Sequence, residues 1–361
     1  MYEEIVREDI AAIAKKLGQD AKKLEGKTVF ISGGAGFLGK YIIGTLCYLN
    51  DTLLSKPCRI ISADNYITGQ KHPHFNYQNR PEVIEVWADV IHPLPIREDI
   101  NYIVHAAGLA SPVYYKKYPL ETIDAAVSGT KNLLELGLKN KNLEGFLFFS
   151  SSEIYGDPDP AAVPTPETYY GFVSSVGPRA CYDESKRLGE TLATIYYEKF
   201  NLPTKIVRPF NVFGPGMSHN DRRVLPMFTY MIINKQPIPV HGDGHQTRTF
   251  CYITDAIDGF FKVLLKGRPG EAYNIGSDEN EISMRNLAEL VTSIDGNGAS
   301  YQLIPYPENY PAGEPTRRCP DISKAKEHLG FIPQTSLKEG LFRFMSWCRN
   351  DPHYNNGTIK I

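Results

Sequence analysis

The sequence predicts an α/β protein, a doubly wound parallel sheet followed by a smaller C-terminal α/β region. Short β-rich runs alternate with helical runs from about residue 27 to residue 210. A glycine-rich turn separates the first β-rich run from the first long helix of that series. Beyond residue 210 the order becomes mixed, with isolated strand-like and helical segments. The 361 residues are 42% hydrophobic, enough for one large core or two.

Residues 1–26 read as an amphipathic helical extension, with Val6, Ile10, Ile13 and Leu17 at helical spacing. The expectation is a helix docked on the surface of the sheet domain, with an oligomer contact as the open alternative. "KTVFISGGAGFLGKYIIGTL" is a strand, a glycine turn and a helix. Gly33, Gly36 and Gly39 permit a tight turn and close approach of a pyrophosphate to a helix N-terminus. Three spaced glycines can also be an ordinary turn, but strand before and helix after point to a Rossmann-type dinucleotide site. Phe37 and Leu38 fall within the same turn. "CRIISADN" is a second strand closing on Asp64 and Asn65. A carboxylate there accepts hydrogen bonds from a ribose diol and repels a 2′-phosphate, so NAD is expected rather than NADP. "EVIEVWADV" and "INYIVHAAG" are further strands; Asp89 at the end of the first is placed for the adenine or is a turn acid, and Ala106 in the second is a candidate for the cofactor site.

"PLETIDAAVSGTKNLLELGLK" reads as one long helix, and "LEGFLFFSSSEIYG" as a strand ending in Ser150, Ser151, Ser152 and Glu153. In open α/β sheets ligands bind beyond the carboxyl ends of strands. The helix "CYDESKRLGETLATIYYEKF" follows, with Tyr182 and Lys186 four apart on one face. A phenol titrates near pH 10 and is a poor base at neutrality; a neighbouring cation is expected to lower that value. A Tyr/Lys pair alone is usually a solvated helix face. Together with the glycine turn and the strand-end hydroxyls it reads as chemistry: a hydroxyl holding a substrate oxygen while the phenolate takes its proton. "PTKIVRPFNVFGPG" is a strand and loop, "AYNIGSD" a strand, "SMRNLAELVTSI" and "SLKEGLFRFMSWCRN" helices, and "DPHYNNGTIKI" a loosely held tail.

With 39 basic and 41 acidic residues the net charge is -2, which argues against nucleic acid as a partner. Six scattered cysteines form neither a disulfide framework nor a zinc pattern, and no metal is expected. No apolar run approaches the roughly 18 residues of a membrane span, and the N-terminus does not read as a targeting peptide. The expectation is a cytoplasmic protein with reduced thiols.

The motif order "GGAGFLG", "ADNYITG", "HAAG", "SSSEIYG", "YDESK", "RPFNVFGPG" resembles the extended short-chain dehydrogenase/reductases that act on nucleotide sugars, the NAD-dependent epimerase/dehydratase family, over roughly residues 27–350. "GPRACYDESKR", "NDRRVLPMF", "GDGHQTRTFCYITD" and "RRCPDISKAKEHLG" are similar to segments of its UDP-glucuronate decarboxylases. The resemblance implies a Rossmann domain (27–210), a nucleotide-sugar-binding domain (211–361, part returning to the sheet), tightly held NAD and a homodimer built through helices. It implies that Tyr182, Lys186, Ser151 and Ser152 are catalytic, with Lys186 also on the nicotinamide ribose. It points to Glu153 and Arg318 for decarboxylation. It places Asn211 near the phosphates and Arg223 and Arg248 near the nucleotide; Tyr252 is a substrate-binding candidate with bracing of that loop as the alternative. The chain departs from those decarboxylases at Ser151 (threonine there), Tyr170 (tryptophan), Ser174-Ser175 (Asn-Pro) and Ala126 (asparagine). The rivals are a 4,6-dehydratase, which shares the C4 oxidation and, in the GDP-mannose type, the Ser-Glu pair, a 4-epimerase, and a non-catalytic NAD-binding protein.

Overall fold

Seven parallel strands form the central sheet of the computed structural model, which describes residues 2–69, 75, 77, 79–279, 281–296, 298–306 and 315–355. They are β1 (Thr28–Ser32), β2 (Arg59–Asp64), β3 (Val83–Trp87), β4 (Tyr102–His105), β5 (Gly145–Phe149), β6 (Thr204–Pro209) and β7 (Ala272–Ile275), ordered in space β7-β6-β5-β4-β1-β2-β3. The direction of winding reverses between β1 and β4, the switch point at which such sheets bind ligands. Register there pairs Ile31 with Val104 and with Ser62. β4 and β5 are buried along their whole length, as both faces are covered. Alternate residues feed two cores. Phe30, Ile61, Ile103, Phe146 and Phe148 lie in one, and Val29, Ile31, Ile60, Leu147 and Phe149 in the other.

The helices are α1 (Tyr2–Leu17), α2 (Phe37–Thr52), α3 (Pro112–Lys117), α4 (Pro119–Ala126), α5 (Ser128–Lys139), α6 (Ala180–Phe200), α7 (Val224–Ile233), α8 (Ile253–Lys266), α9 (Met284–Asp295), α10 (Ser323–Leu329), α11 (Leu337–Asn350) and α12 (Pro352–Asn355). α5 and α6 pack on each other and on the sheet, while α8 packs on β5 and β6 from the other core. At Gly189 of α6 a Cβ would stand 2.3 Å from the Phe148 ring, so glycine sets how closely this helix approaches the sheet.

Two expectations change. Residues 119–139 are two helices, α4 and α5, broken at Val127 (φ −107°, ψ −66°). The Thr130 hydroxyl donates to the Ala126 carbonyl at 2.6 Å, the back-bonding that bends helices. The start of the C-terminal tail is anchored rather than loose. Tyr354 is buried against Trp347 and its hydroxyl donates to the Met217 carbonyl at 3.0 Å. Residues 356–361 lie outside the described residues.

The N-terminal helix α1 buries Val6, Ile13 and Leu17 against α2, α8 and α11, so it bridges the glycine-turn helix and the C-terminal part of the chain. Its Asp9 is buried. The carboxylate accepts from Tyr252 Oη (2.8 Å), Tyr41 Oη (3.3 Å) and Arg343 Nε and Nη2 (3.0 and 2.8 Å). All six cysteines are free, and among the described residues there is no metal-binding cluster and no helix long and apolar enough to cross a membrane.

Candidate active site

The glycine turn leaves β1 at the switch point. Gly33 has φ +77°, and a Cβ there would meet the Ala106 carbonyl oxygen and the Ala107 nitrogen at 2.8 and 2.7 Å. At Gly39 a Cβ would stand 2.2 Å from the Gly33 carbonyl oxygen. Both glycines are therefore dictated by backbone packing. Gly36 is the N-cap of α2 and gives it no side-chain cap, so the first-turn amides, including Phe37 and Leu38, open toward the turn. Asp64, at the end of β2, accepts from the amides of Tyr66 (2.7 Å) and Ala35 (2.9 Å). Burial pushes its carboxyl up, against those two amides and the Lys40 charge. Asn65 donates to Asp89 at 3.0 Å, which ties the ends of β2 and β3 together. Asp89 stands two residues past β3 and not in it. A close-approach turn, an uncapped helix start and an acid at the end of the next strand fit a dinucleotide, so these residues suit NAD.

Ser150, Ser151 and Ser152 follow β5 and are buried. Ser151 is extended (φ −158°, ψ 155°), and its Oγ accepts from the Glu153 amide at 3.2 Å. The Ser151 side chain also acts on the Tyr182 phenol, favouring its ionised form. Tyr182 and Lys186 occupy the buried face of α6. The Lys186 ammonium donates to the Phe149 carbonyl at 2.7 Å and lies 5.9 Å from the Tyr182 ring centre. Burial pushes Lys186 down to about 8. Here the structure corrects the expected electrostatics. Burial holds the Tyr182 phenol above its ordinary range, and the groups acting the other way are Ser151, Arg223 and Arg179. Lys186 is instead turned to the β5 carbonyl.

Glu153 and Arg318 meet as a paired fork, Nη1 to Oε1 at 2.6 Å and Nη2 to Oε2 at 2.8 Å. Arg318 comes from a short strand, Arg317–Arg318, in register with Thr247–Arg248. That pairing brings Arg248 alongside, buried, with Nη2 on the Pro315 carbonyl at 2.6 Å. Arg223, held by Asp221 (Nε to Oδ1, 2.9 Å), acts on Tyr182 through its charge. Asn211 (φ +41°) gives its amide to the Thr249 carbonyl at 2.7 Å. Tyr252 is a correction. Its ring is 2% exposed, its hydroxyl belongs to Asp9 of α1, and it braces the N-terminal helix instead of lining the nucleotide site.

Two residues join the cluster without having been singled out. Arg179 reaches Glu153 from the start of α6, and Tyr115 of α3 stacks on Tyr182 with ring centres 5.5 Å apart and planes at 19°. Arg179 lies three before Tyr182, and helical spacing could have placed it on the same face. Tyr115 is brought in by tertiary packing alone.

The NAD dependent epimerase/dehydratase family model matches residues 29–276. UDP-glucuronic acid decarboxylase 1 of Arabidopsis thaliana is 38% identical over 322 residues, 89% of this chain and 70% of that relative. The protein of the same name from Xenopus tropicalis is 34% identical over 325 residues, 90% and 73% of the two chains. Among solved structures, an epimerase from Methanothermobacter thermautotrophicus superposes with TM-score 0.79 at 26% identity, covering 91% of this chain and 94% of its own. A dTDP-glucose 4,6-dehydratase from Streptomyces venezuelae, solved with NAD, superposes with TM-score 0.78 at 23% identity, covering 90% and 97%; at that identity it speaks for the fold. With the glycine turn, the strand-end hydroxyls and the Tyr182–Lys186 pair in place, the chain belongs to the NAD dependent epimerase/dehydratase family.

Proposed function

We propose that this protein decarboxylates UDP-glucuronate, giving UDP-xylose or the corresponding 4-keto pentose. The observation that carries the reading is the Glu153–Arg318 fork at the strand end that also carries Ser151, beside the buried Tyr182 and Lys186: a carboxylate-handling pair next to a proton-transfer pair. The names of the relatives support it.

NAD, when bound, would supply the redox chemistry, accepting hydride from sugar C4 and giving it back where UDP-xylose is the product; release of the 4-keto pentose would leave it as NADH. Gly33, Gly36, Phe37, Leu38 and Gly39 would hold its pyrophosphate, Asp64 and Asn65 a ribose, Asp89 the adenine, and Ala106 and Lys186 the nicotinamide end. Tyr182 removes the 4-hydroxyl proton while Ser151 holds the same oxygen. The resulting 4-keto uronate is a β-keto acid. As the carbon–carboxylate bond breaks, its electron pair moves onto the C4 oxygen, where Ser151 and Tyr182 stabilise the developing charge. Arg318 orients the carboxylate or an adjacent oxygen. Glu153, with Ser152, orders water or delivers the proton that arrives at C5. Asn211, Arg223 and Arg248 serve the nucleotide diphosphate.

A 4,6-dehydratase of the GDP-mannose type would use the same Ser152 and Glu153, the dTDP-glucose type would need an aspartate at Ser152, and a 4-epimerase would need neither acid nor fork; a guanidinium fork fixed on Glu153 favours the decarboxylase. We assign residues 27–210 to the cofactor and most of 211–361 to the nucleotide sugar, a cytoplasmic location, and a homodimer built through α4 and α6. Those two helices pack on each other and leave Leu120, Ile123, Leu188 and Ile195 in solvent. The test is product mass spectrometry after incubation with NAD and, separately, UDP-glucuronate, UDP-glucose, dTDP-glucose and GDP-mannose. Loss of CO₂ from UDP-glucuronate alone is expected. Loss of water from a neutral hexose would make the protein a dehydratase, and unchanged mass with altered retention an epimerase.

A further inference from the structure

Glu153 is gripped from two sides. Arg318 forks onto it from its short strand, and the Arg179 Nη2 donates to Oε2 from the N-cap of α6. Arg179 is itself oriented by Asp183 one helical turn on, Nε to Oδ2 at 3.5 Å. The four groups form an alternating chain, Asp183–Arg179–Glu153–Arg318, with side chains only 8–18% exposed. Buried charges persist when paired, and here Glu153 is held by two guanidiniums, the second of which is shared with Asp183.

The second cation has a use that rests on the functional reading above. A uronate brings its own carboxylate to a site that already holds Glu153. Two like charges so close disfavour each other, and a neutral sugar raises no such conflict. We propose that Arg179 is a specificity-determining positioning residue: its charge on Glu153 offsets the repulsion and admits a carboxylate-bearing sugar nucleotide. Arg179 acts through Glu153. Its proximity to Tyr182, whose phenol it also influences, places the same charge at the edge of the reacting centre.

The test is a binding measurement in a Tyr182→Phe background, which halts turnover. The NAD-loaded protein is titrated calorimetrically with UDP-glucuronate, UDP-glucose and UDP. Arg179→Ala should weaken UDP-glucuronate by about tenfold or more, and UDP-glucose and UDP by less than about threefold. Adding Glu153→Gln, which removes the opposing charge, should return the UDP-glucuronate affinity to within about threefold of the Glu153→Gln protein alone. Arg179→Lys, which keeps the charge and loses the guanidinium geometry, should fall between. If Arg179→Ala does not fold, Arg179→Gln carries the same comparison. Equal losses for all three nucleotides, no loss, or no recovery with Glu153→Gln would overturn the proposal, leaving Arg179 a structural residue. The two claims fail separately. A parent protein with Tyr182 intact that releases no CO₂ from UDP-glucuronate overturns the functional reading. One that does release it, with unselective Arg179 variants, overturns this inference alone.

Discussion

A phenol buried beneath another aromatic ring is a weak acid, and burial alone would leave Tyr182 protonated and idle. The structure supplies three opposing influences, the Ser151 hydroxyl and the charges of Arg223 and Arg179. The first was legible from the sequence, through the serine cluster at the end of β5, and Arg223 was expected at the nucleotide but not at the phenol. Tyr182 and Lys186 could be read because helical spacing is local. Arg179 on Glu153 could not, because the two residues meet only when α6 returns to the end of β5. Tyr252 misled for a related reason: it shares a motif with Arg248, yet its hydroxyl is committed to Asp9 in the N-terminal helix. Tyr182→Phe keeps the ring and its stacking on Tyr115 but loses the proton acceptor. It should retain NAD and lower turnover by about 10² to 10⁴-fold. Cofactor absorbance during a single turnover checks this, and turnover at the parental rate would remove Tyr182 from the mechanism.

Among the elements, α1 carries the least expected arrangement. Its apolar stripe was plain in the sequence, but not the acid within it, because a lone Asp on an amphipathic helix reads as a solvated residue. Asp9 is instead the shared acceptor for Tyr41 of α2, Tyr252 and Arg343 of α11. Burial pushes its carboxyl up from 3.8 to about 6, against Arg343 and the hydroxyls. Between those values the folded protein holds a proton that the unfolded chain has released. The stability from this group is therefore fully present below about pH 4 and lost as pH rises to about 6. Asp9→Asn removes that titration. Thermal melts of parent and variant should converge, or cross in the variant's favour, between about pH 4 and 6, and run parallel above it. A constant difference across the whole range would mean that Asp9 does not titrate there. The break between α4 and α5 teaches the same lesson: apolar periodicity runs through Val127, and the local back-bond at Thr130 that bends the chain leaves no mark in the pattern.

For the whole molecule, alternation of strands and helices was enough to predict the parallel sheet, and the glycine turn was enough to orient it. The placement of "AYNIGSD" as the edge strand β7 was not readable, since its partner in β6 lies far back in the chain and local pattern carries no pairing information. The same long-range return brings Arg318 to Glu153, so the site is assembled by the C-terminal half closing over the strand ends. The apolar residues left exposed on α4 and α6 belong to this scale too. A homodimer through that surface should appear as twice the chain mass in light scattering, and Leu188→Glu with Leu120→Glu should reduce it to the monomer. A parent protein that is monomeric at micromolar concentration would exclude this interface.

The central claim is that a uronate oxidised at C4 loses its carboxyl group at Glu153 and Arg318. UDP-glucuronate labelled with ¹³C in the carboxyl group tests it most directly. The label should leave as ¹³CO₂, one equivalent for each nucleotide sugar consumed, and Tyr182→Phe should slow the release by about 10² to 10⁴-fold. Label retained in a dehydrated or epimerised sugar nucleotide would contradict it.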